Sequence, residues 1–304
     1  MPNRTKWSIL ASTSAAMDVA LVVAISALSA IAILTLASIG LAVVFGLMRV
    51  VNMAHGEFLM IGALTTTTLV NNAGTPWWVG MIAAPLVGAA IGGLLETMLI
   101  SRIARGRLVD SLLVTFGVSL ILYQIAVDVF GTTPPGIATP LGALTIGSYA
   151  IPSYQLFLIA AALALLLLLY FLFTRTHYGL LARAVAQNSE MAEALGAGAR
   201  KINTLTFVLG CALASLGGAL LAPLVSVSPS LGQAFIGQAF LTVVIAGPAF
   251  ITGMLLTAAL LGGISNLLSQ ALTSLWGITG LFIAGIIILR FRPSGISGTW
   301  KRAL

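Results

Sequence analysis

The chain has 304 residues, of which 59% are hydrophobic and only 7% are charged. Charged residues average about a quarter of a soluble globular domain, so most of this surface must be covered by a lipid bilayer. The formal net charge of +7 does not indicate nucleic-acid binding, because basic residues of membrane proteins collect in cytoplasmic loops. The composition therefore excludes an ordinary soluble enzyme and predicts a multi-pass membrane protein.

Apolar runs along the chain mark the predicted spans, since a spanning helix needs about 20 mostly apolar residues. Long runs lie near 18–36, 78–100, 111–129, 153–173, 203–222 and 275–290, and shorter or glycine-interrupted runs near 38–51, 56–71, 235–248 and 253–270. They predict an all-α, polytopic helical membrane protein with about 8–10 transmembrane segments. We expect one transmembrane domain over residues 1–304, with a loop at 174–202.

The basic residues predict the orientation of these spans. All of them except Arg49 fall into four groups: Arg4 and Lys6; Arg102, Arg105 and Arg107; Arg175, Arg183, Arg200 and Lys201; Arg290, Arg292, Lys301 and Arg302. The connections 72–77, 130–152 and 223–234 contain none. This positive-inside pattern predicts that both termini and the 174–202 loop are cytoplasmic. The first basic pair also fits a cleaved signal peptide, but the apolar run continues for about 30 residues without a clear cleavage site, which favours an uncleaved span.

A polar cluster interrupts the apolar sequence at 49–58, which reads RVVNMAHGEF. Its polar members are Arg49, Asn52, His55 and Glu57. One interpretation is structural: Arg49 pairs with Glu57, while Asn52 and His55 cap broken backbone. The other is functional: the helix breaks at Met53 to Gly56, with Gly56 permitting the break, and exposes polar groups to a pathway. One cluster can serve both purposes, and the adjoining helices are predicted to be discontinuous.

Other patterns favour helix packing and connections. Small residues one turn apart, at Gly88 and Gly92 and at Gly210, Ala214 and Gly218, favour close helix contacts over a pore lining. Four threonines at 65–68 either line a polar passage or bond to the backbone of their own helix. The proline-rich connection 130–152 is predicted to be irregular and external, as a docking surface or a linker.

The 174–202 loop contains a helix-forming stretch from Ala182 to Leu195, which Gly196 should terminate. Three interpretations remain open. The helix lies across the inner membrane surface, it fits a groove on a partner subunit, or the loop is simply solvated.

Residues for catalysis are scarce. The sequence has no GxxxxGK[ST] phosphate loop, which argues against ATP hydrolysis by this chain. Its two histidines, His55 and His177, are far apart in the sequence and argue against a zinc site. Cys211 is the single cysteine, so an intramolecular disulfide is impossible. We therefore expect no enzyme activity, no metal and no cofactor.

Three blocks resemble the permease subunits of bacterial branched-chain amino-acid ABC importers. They are GLAVVFGLMRVVNMAHGEFLMIGA (40–63), LETMLISRIARGRLVDSLLVTFGVSLILYQ (95–124) and RAVAQNSEMAEALG (183–196). The third block is similar to the family's coupling segment, whose E-A-x-G core falls on Glu193, Ala194 and Gly196. With Arg183 and Glu190, these residues are the implied ATPase-coupling site. The pathway residues are expected to be Asn52, His55, Gly56 and Glu57.

The resemblance implies an inner-membrane permease that supplies half of a pathway for branched-chain or related amino acids. Its implied partners are a second related permease, two cytoplasmic ATPases and a periplasmic solute-binding protein. The chain departs from the family at 243–256, VVIAGPAFITGMLL, where Pro248, Ala249 and Phe250 replace a glycine-rich turn and predict a stiffer one. A related permease for urea, an amide or a sugar is the alternative. An ATP-independent transporter would need coupling residues, for which only Glu57, Glu96 and Asp128 are candidates.

Overall fold

A computed structural model describes residues 4–102, 108–147, 149–247 and 250–298. Its helices are α1 (Arg4–Met48), α2 (His55–Asn71), α3 (Trp77–Met98), α4 (Leu108–Phe130), α5 (Tyr154–Arg175), α6 (His177–Gln187), α7 (Ser189–Ala194), α8 (Ala199–Leu221), α9 (Leu231–Ala246), α10 (Phe250–Ala271) and α11 (Ser274–Phe291). Ile100–Arg102 forms a 3-10 turn after α3, and the antiparallel strands β1 (Ala143–Ile146) and β2 (Tyr149–Pro152) form a hairpin.

Within these ranges, seven helices are long and apolar enough to cross a membrane, α9 is a shorter apolar helix, and α2 has 17 residues. The predicted polytopic helical fold is confirmed, as is the helix discontinuity near the polar cluster. Two details were wrong. The predicted separate segment at 38–51 is the end of α1, and the connection 130–152 contains the hairpin. Helix α1 continues through Gly40, which is packed inside the bundle, since a Cβ there would collide with the carbonyl oxygen of Gly210.

The direction of α1 follows from its contacts at each end. Near its start, Asp18 lies against Gly147 in the turn of the hairpin. Near its finish, Leu47 shares a core cluster with Val185 of α6 and Ala192 of α7. We call these two ends of the bundle the hairpin end and the α6–α7 end. Helix α1 therefore runs from the hairpin end to the α6–α7 end.

The segment after α11 lies at the α6–α7 end. Its Ile296 N–H donates to the carbonyl of Ile245 at 2.8 Å. The hydroxyl of Ser297 donates to the carbonyl of Ala246. Ala246 belongs to the same core cluster as Val185 of α6. The start of α1 and residue 298 thus lie at opposite ends of the bundle. The expectation that both termini are cytoplasmic came from the basic residues and stays a prediction, because residues 1–3 and 299–304 lie outside the described residues.

Helix α8 is the central helix, since most of its residues are buried. Its small residues allow close contact with three neighbours. A Cβ at Gly88 or Gly92 of α3 would collide with Ser215 or Cys211, and one at Gly218 would collide with the carbonyl of Leu59 in α2. The packing interpretation of these glycines is confirmed. Of the threonines at 65–68, Thr66 and Thr67 donate to the carbonyls of Gly62 and Ala63, so these two bond to their own helix.

Candidate functional site

The polar cluster forms the turn between α1 and α2, but the break is earlier than predicted. Helix α1 ends at Met48 and α2 begins at His55, so the irregular segment is 49–54. The residue that reverses the chain is the exposed Arg49, whose φ of 53° is left-handed. Gly56 is the second residue of α2. The prediction that Gly56 permits the break was therefore wrong, and its role is close packing.

Hydrogen bonds to side chains hold the irregular segment. The Asn52 side chain is 2% exposed, and its Oδ1 accepts the N–H of Ala54 at 3.1 Å. The Met53 N–H donates to the Thr115 hydroxyl of α4 at 3.1 Å, and that hydroxyl donates to the Ser111 carbonyl at 2.8 Å. Asn52 thus caps broken backbone, as the structural interpretation expected, and α4 supplies a second support.

His55 fixes the depth at which α2 begins. Its Nε2 lies 3.0 Å from the carbonyl oxygen of Ala37, and a carbonyl can only accept, so Nε2 carries the hydrogen. Ala37 precedes Met48 by eleven residues, or about 16 Å along α1 at 1.5 Å per residue. Since a hydrocarbon core is about 30 Å thick, His55 lies near the middle of the bundle.

Glu57 is buried in the first turn of α2, with 1% of its surface exposed. Its Oε1 accepts the hydroxyl of Ser119 in α4 at 2.9 Å, while its Oε2 has no partner in the described part of the chain. The predicted pair with Arg49 is not formed, because the arginine is exposed at the end of α1 and the carboxyl lies inside. A buried carboxyl with one hydrogen bond is costly and marks a functional-site candidate in a membrane protein.

A second discontinuous helix meets the first one. After α8, residues 222–230 return into the bundle, where Val227 packs with Met60 and Ala63 of α2. Helix α9 then begins beside α2, and a Cβ on either Gly56 or Gly232 would collide with the backbone of the other glycine. From this meeting point α9 runs to Ala246 at the α6–α7 end. Helix α2 runs to Asn71 at the hairpin end. The side-chain amide of Asn71 donates to the Pro135 carbonyl at 3.1 Å.

The two helix pairs are arranged alike but inverted. Each pair has a spanning helix, a segment that turns back into the bundle, and a short helix. In the first pair these are α1, residues 49–54 and α2, and in the second pair they are α8, residues 222–230 and α9. Helices α1 and α8 are antiparallel, because Gly40 faces Gly210 whereas Leu36 faces Gly217. Inverted pairs with short helices that start at the midplane are typical of transporter binding sites, where helix N-termini supply partial positive charge.

Sequence reasoning missed the hydroxyls of α4. Ser111, Thr115 and Ser119 are all buried and line the face of α4 toward the polar cluster. Their four-residue spacing in an otherwise apolar helix was the available signal, because residues four apart share one helix face. Thr115 and Ser119 both lie in the second block, at 95–124.

The predicted coupling helix is two short helices with separate caps. The Asn188 side chain accepts the N–H of Met191 at 3.0 Å and starts α7, so the predicted continuous helix 182–195 was wrong. Gly196, with φ of 88°, ends α7 as predicted. There the Gly196 N–H donates to the Glu193 carbonyl and the Ala197 N–H to the Ala192 carbonyl, both at 2.9 Å, which is a Schellman motif.

The same helices are fixed to the bundle on one face and exposed on the other. Ala182, Val185 and Ala192 enter the core. The Tyr178 hydroxyl forms a hydrogen bond with the Thr206 hydroxyl of α8 at 2.8 Å. Burial raises the pKa of the Tyr178 phenol, and this hydrogen bond only partly opposes that rise. Of the predicted coupling residues, Glu190, Glu193, Ala194 and Gly196 are exposed and Arg183 is half-buried. Sequence reasoning missed Met191 and Leu195, which are 59% and 81% exposed.

The remaining predicted residues do not join either site. Glu96 is 3% exposed in α3, whereas Asp128 is exposed and accepts the Gln124 amide at 2.8 Å. Among the residues that the structure describes, no three histidine, cysteine, aspartate or glutamate residues form a group suited to a metal ion. Pro248 and Ala249, and the side chain of Phe250, lie outside the described residues.

Comparison with known proteins agrees with this architecture. A family model described as "Branched-chain amino acid transport system / permease component" matches residues 23–290. The permease proteins LivH of Escherichia coli K12 and of Salmonella typhimurium are each 27% identical to this chain, over 86% of it and 90% of the relative. BraD of Pseudomonas aeruginosa is 27% identical, over 86% and 91%. These relatives are named high-affinity branched-chain amino acid transport system permease proteins.

No solved structure matches the chain. The family match covers both discontinuous helix pairs, except the first part of α1, and the α6–α7 segment. Together with the seven apolar helices, it identifies a multi-pass inner-membrane protein. The chain therefore belongs to the family of branched-chain amino acid transport system permease components.

Proposed function

We propose that this chain is the membrane-spanning permease subunit of an ATP-driven importer for branched-chain or related amino acids. The observation that carries the proposal is the meeting of α2 and α9 in mid-bundle beside Asn52, His55 and Glu57. Irregular backbone at membrane depth is tolerated where it lines a cavity, and coupled transporters bind solute there. The family match supports the type of solute.

The chemistry of this centre suits an amino acid. The N-termini of α2 and α9 carry partial positive charge from the helix dipole, which favours a carboxylate. The free oxygen of the Glu57 carboxyl is a suitable acceptor for an ammonium group. Because this oxygen is buried, α4 or the crossing of α2 and α9 must move before solute reaches it. ATP hydrolysis in partner subunits would drive that movement.

The α6–α7 segment is the proposed coupling element. Its buried face transmits force to the core through Val185 and Ala192, while Met191, Glu193 and Leu195 are exposed for contact with an ATPase. The complete importer then comprises this chain, a second related permease, two cytoplasmic ATPases and a solute-binding protein outside. This chain contributes half of the pathway and no catalysis.

The coupling role requires the α6–α7 end to be cytoplasmic. That orientation keeps the basic loops after α3, α5 and α11 inside, and it places the start of α1 outside. After Cys211 is replaced, cysteines at Thr139 and Met17 should react with an impermeant thiol reagent in intact cells, and one at Ser189 should not. Labelling of Ser189→Cys alone would reverse the orientation and remove the coupling role.

The central site is tested by transport in proteoliposomes that contain the assembled importer. Asn52→Ala and His55→Ala should alter the apparent substrate affinity or the rate per folded molecule. Glu57→Ala should mainly lower the yield of folded protein, because Ser119 then loses its partner. Ser101→Ala, in the 3-10 turn after α3, is a control. Normal transport per folded molecule in all three variants would reduce the cluster to a structural clamp.

A further inference from the structure

A groove on the membrane-facing surface lies apart from the central site. It has a volume of about 360 Å³ and is lined by Leu260 of α10, Ile287, Ile288, Phe291 and Arg292 at the end of α11, and Ile296. The lining is apolar except for Arg292. Hydrogen bonds to Ile245 and Ala246 hold the segment that carries Ile296, so this wall of the groove is part of the fold.

The lining of the groove is apolar along the helices and charged at the end of α11. Leu260 and Ile287 are 48% and 51% exposed and lie within spanning helices. Arg292 follows the last residue of α11, where a spanning helix leaves the hydrocarbon, and its side chain is exposed. An occupant must therefore be apolar along α10 and α11 and anionic at the helix end.

The charged residue in the lining of the groove is Arg292. The sequence contains no acidic residue after Glu193, whereas Arg290 and Arg292 flank the end of α11. Basic pockets at the cytoplasmic side of transmembrane helices bind anionic lipid headgroups, and each basic residue near the membrane contributes to that attraction. We infer that this groove is a binding site for one anionic phospholipid, with acyl chain along Leu260, Ile287 and Ile288 and headgroup at Arg292.

Matched arginines make the test specific. Arg290 lies in the last turn of α11, whereas Arg292 follows that helix in a non-helical conformation, and of the two only Arg292 lines the groove. The delipidated full-length chain is mixed with equal amounts of phosphatidylglycerol and phosphatidylethanolamine of the same acyl composition. Native mass spectrometry then measures the ratio of the two lipids retained. Thermal unfolding checks that each variant is folded.

The wild-type chain should retain phosphatidylglycerol in preference. Arg292→Gln should lower this preference about fivefold, as expected for one basic residue at an anionic surface, and Arg290→Gln should leave it within about twofold. Leu260→Trp, which fills the apolar part, should reduce retention of both lipids. Equal retention of the two lipids by the wild-type chain, or equal effects of the two arginine variants, would overturn the assignment. Efficient cross-linking of Ile287→Cys to another subunit in the assembled importer would show a protein interface instead.

Discussion

The crossing of α2 and α9 gives the sharpest test of the fold, through Gly56→Ala. A Cβ at Gly56 would overlap the backbone carbonyl group of Gly232, and each glycine lies in the first turn of its helix. Backbone cannot swing aside as a flexible side chain can. Overpacking of this kind costs about 1–3 kcal/mol, and the better helix propensity of alanine returns at most about 1 kcal/mol. We expect a net loss of about 1–2 kcal/mol, or about 5–30-fold in the ratio of folded to unfolded protein.

Gly117→Ala is the matched control, because Gly117 lies inside α4 and a Cβ there would meet nothing within 4 Å. It should leave stability unchanged or raise it by up to about 1 kcal/mol. The single cysteine, Cys211, is buried and provides the assay, since a thiol-reactive fluorogenic dye reports its exposure during heating. If both variants unfold at the same temperature and the Gly56 variant transports normally, the two short helices do not cross as described.

Three further predictions concern contacts in the two sites. Glu193→Lys and Leu195→Ser should each weaken copurification with the ATPase or lower stimulated ATP hydrolysis, while membrane insertion stays intact; unchanged values for both would make the segment a linker. Ser119→Ala removes the hydrogen bond to Glu57 and should lower the free energy of unfolding by about 1–3 kcal/mol, measured by thermal unfolding. Ser119→Thr keeps the hydroxyl and should lower it less. Equal losses in the two variants would argue against this hydrogen bond. Asn188→Ala removes the cap of α7 and should cost about 1 kcal/mol of stability, and its coupling defect should exceed its loss of folded protein. A variant with normal coupling would show that the cap does not position the docking surface.

Hydropathy predicted most helices of this protein because each spanning helix must bury about 20 apolar residues in lipid. The polar residues at 49–58 indicated a discontinuity for the same reason, since lipid does not tolerate them. Gly196 predicted the end of α7, because the residue that follows a helix often adopts a left-handed φ, which glycine favours. Local signals were weaker elsewhere. The run at 38–51 was expected to be a separate segment but is the end of α1, and Asn188 was not recognised as a cap.

The candidate site was only partly visible in the sequence. Asn52, His55 and Glu57 stood out because they interrupt an apolar run, and all three are buried in mid-bundle. Their partners did not stand out. Ser119 is 62 residues from Glu57 along the chain, so nothing local indicates the hydrogen bond. The predicted pair of Arg49 and Glu57 failed because helix geometry placed one at the end of α1 and the other inside α2.

The sequence by itself determined that this chain is helical, lies in a membrane and contains polar residues at membrane depth. These properties depend on the transfer of side chains between water and lipid, which composition and periodicity report directly. Only the tertiary structure decided that α1 is one helix, that its start lies opposite the α6–α7 end, and that α2 meets α9 at Gly56 and Gly232. Those properties depend on steric contact between residues distant in sequence, and a contact of this kind exists only once the helices have packed.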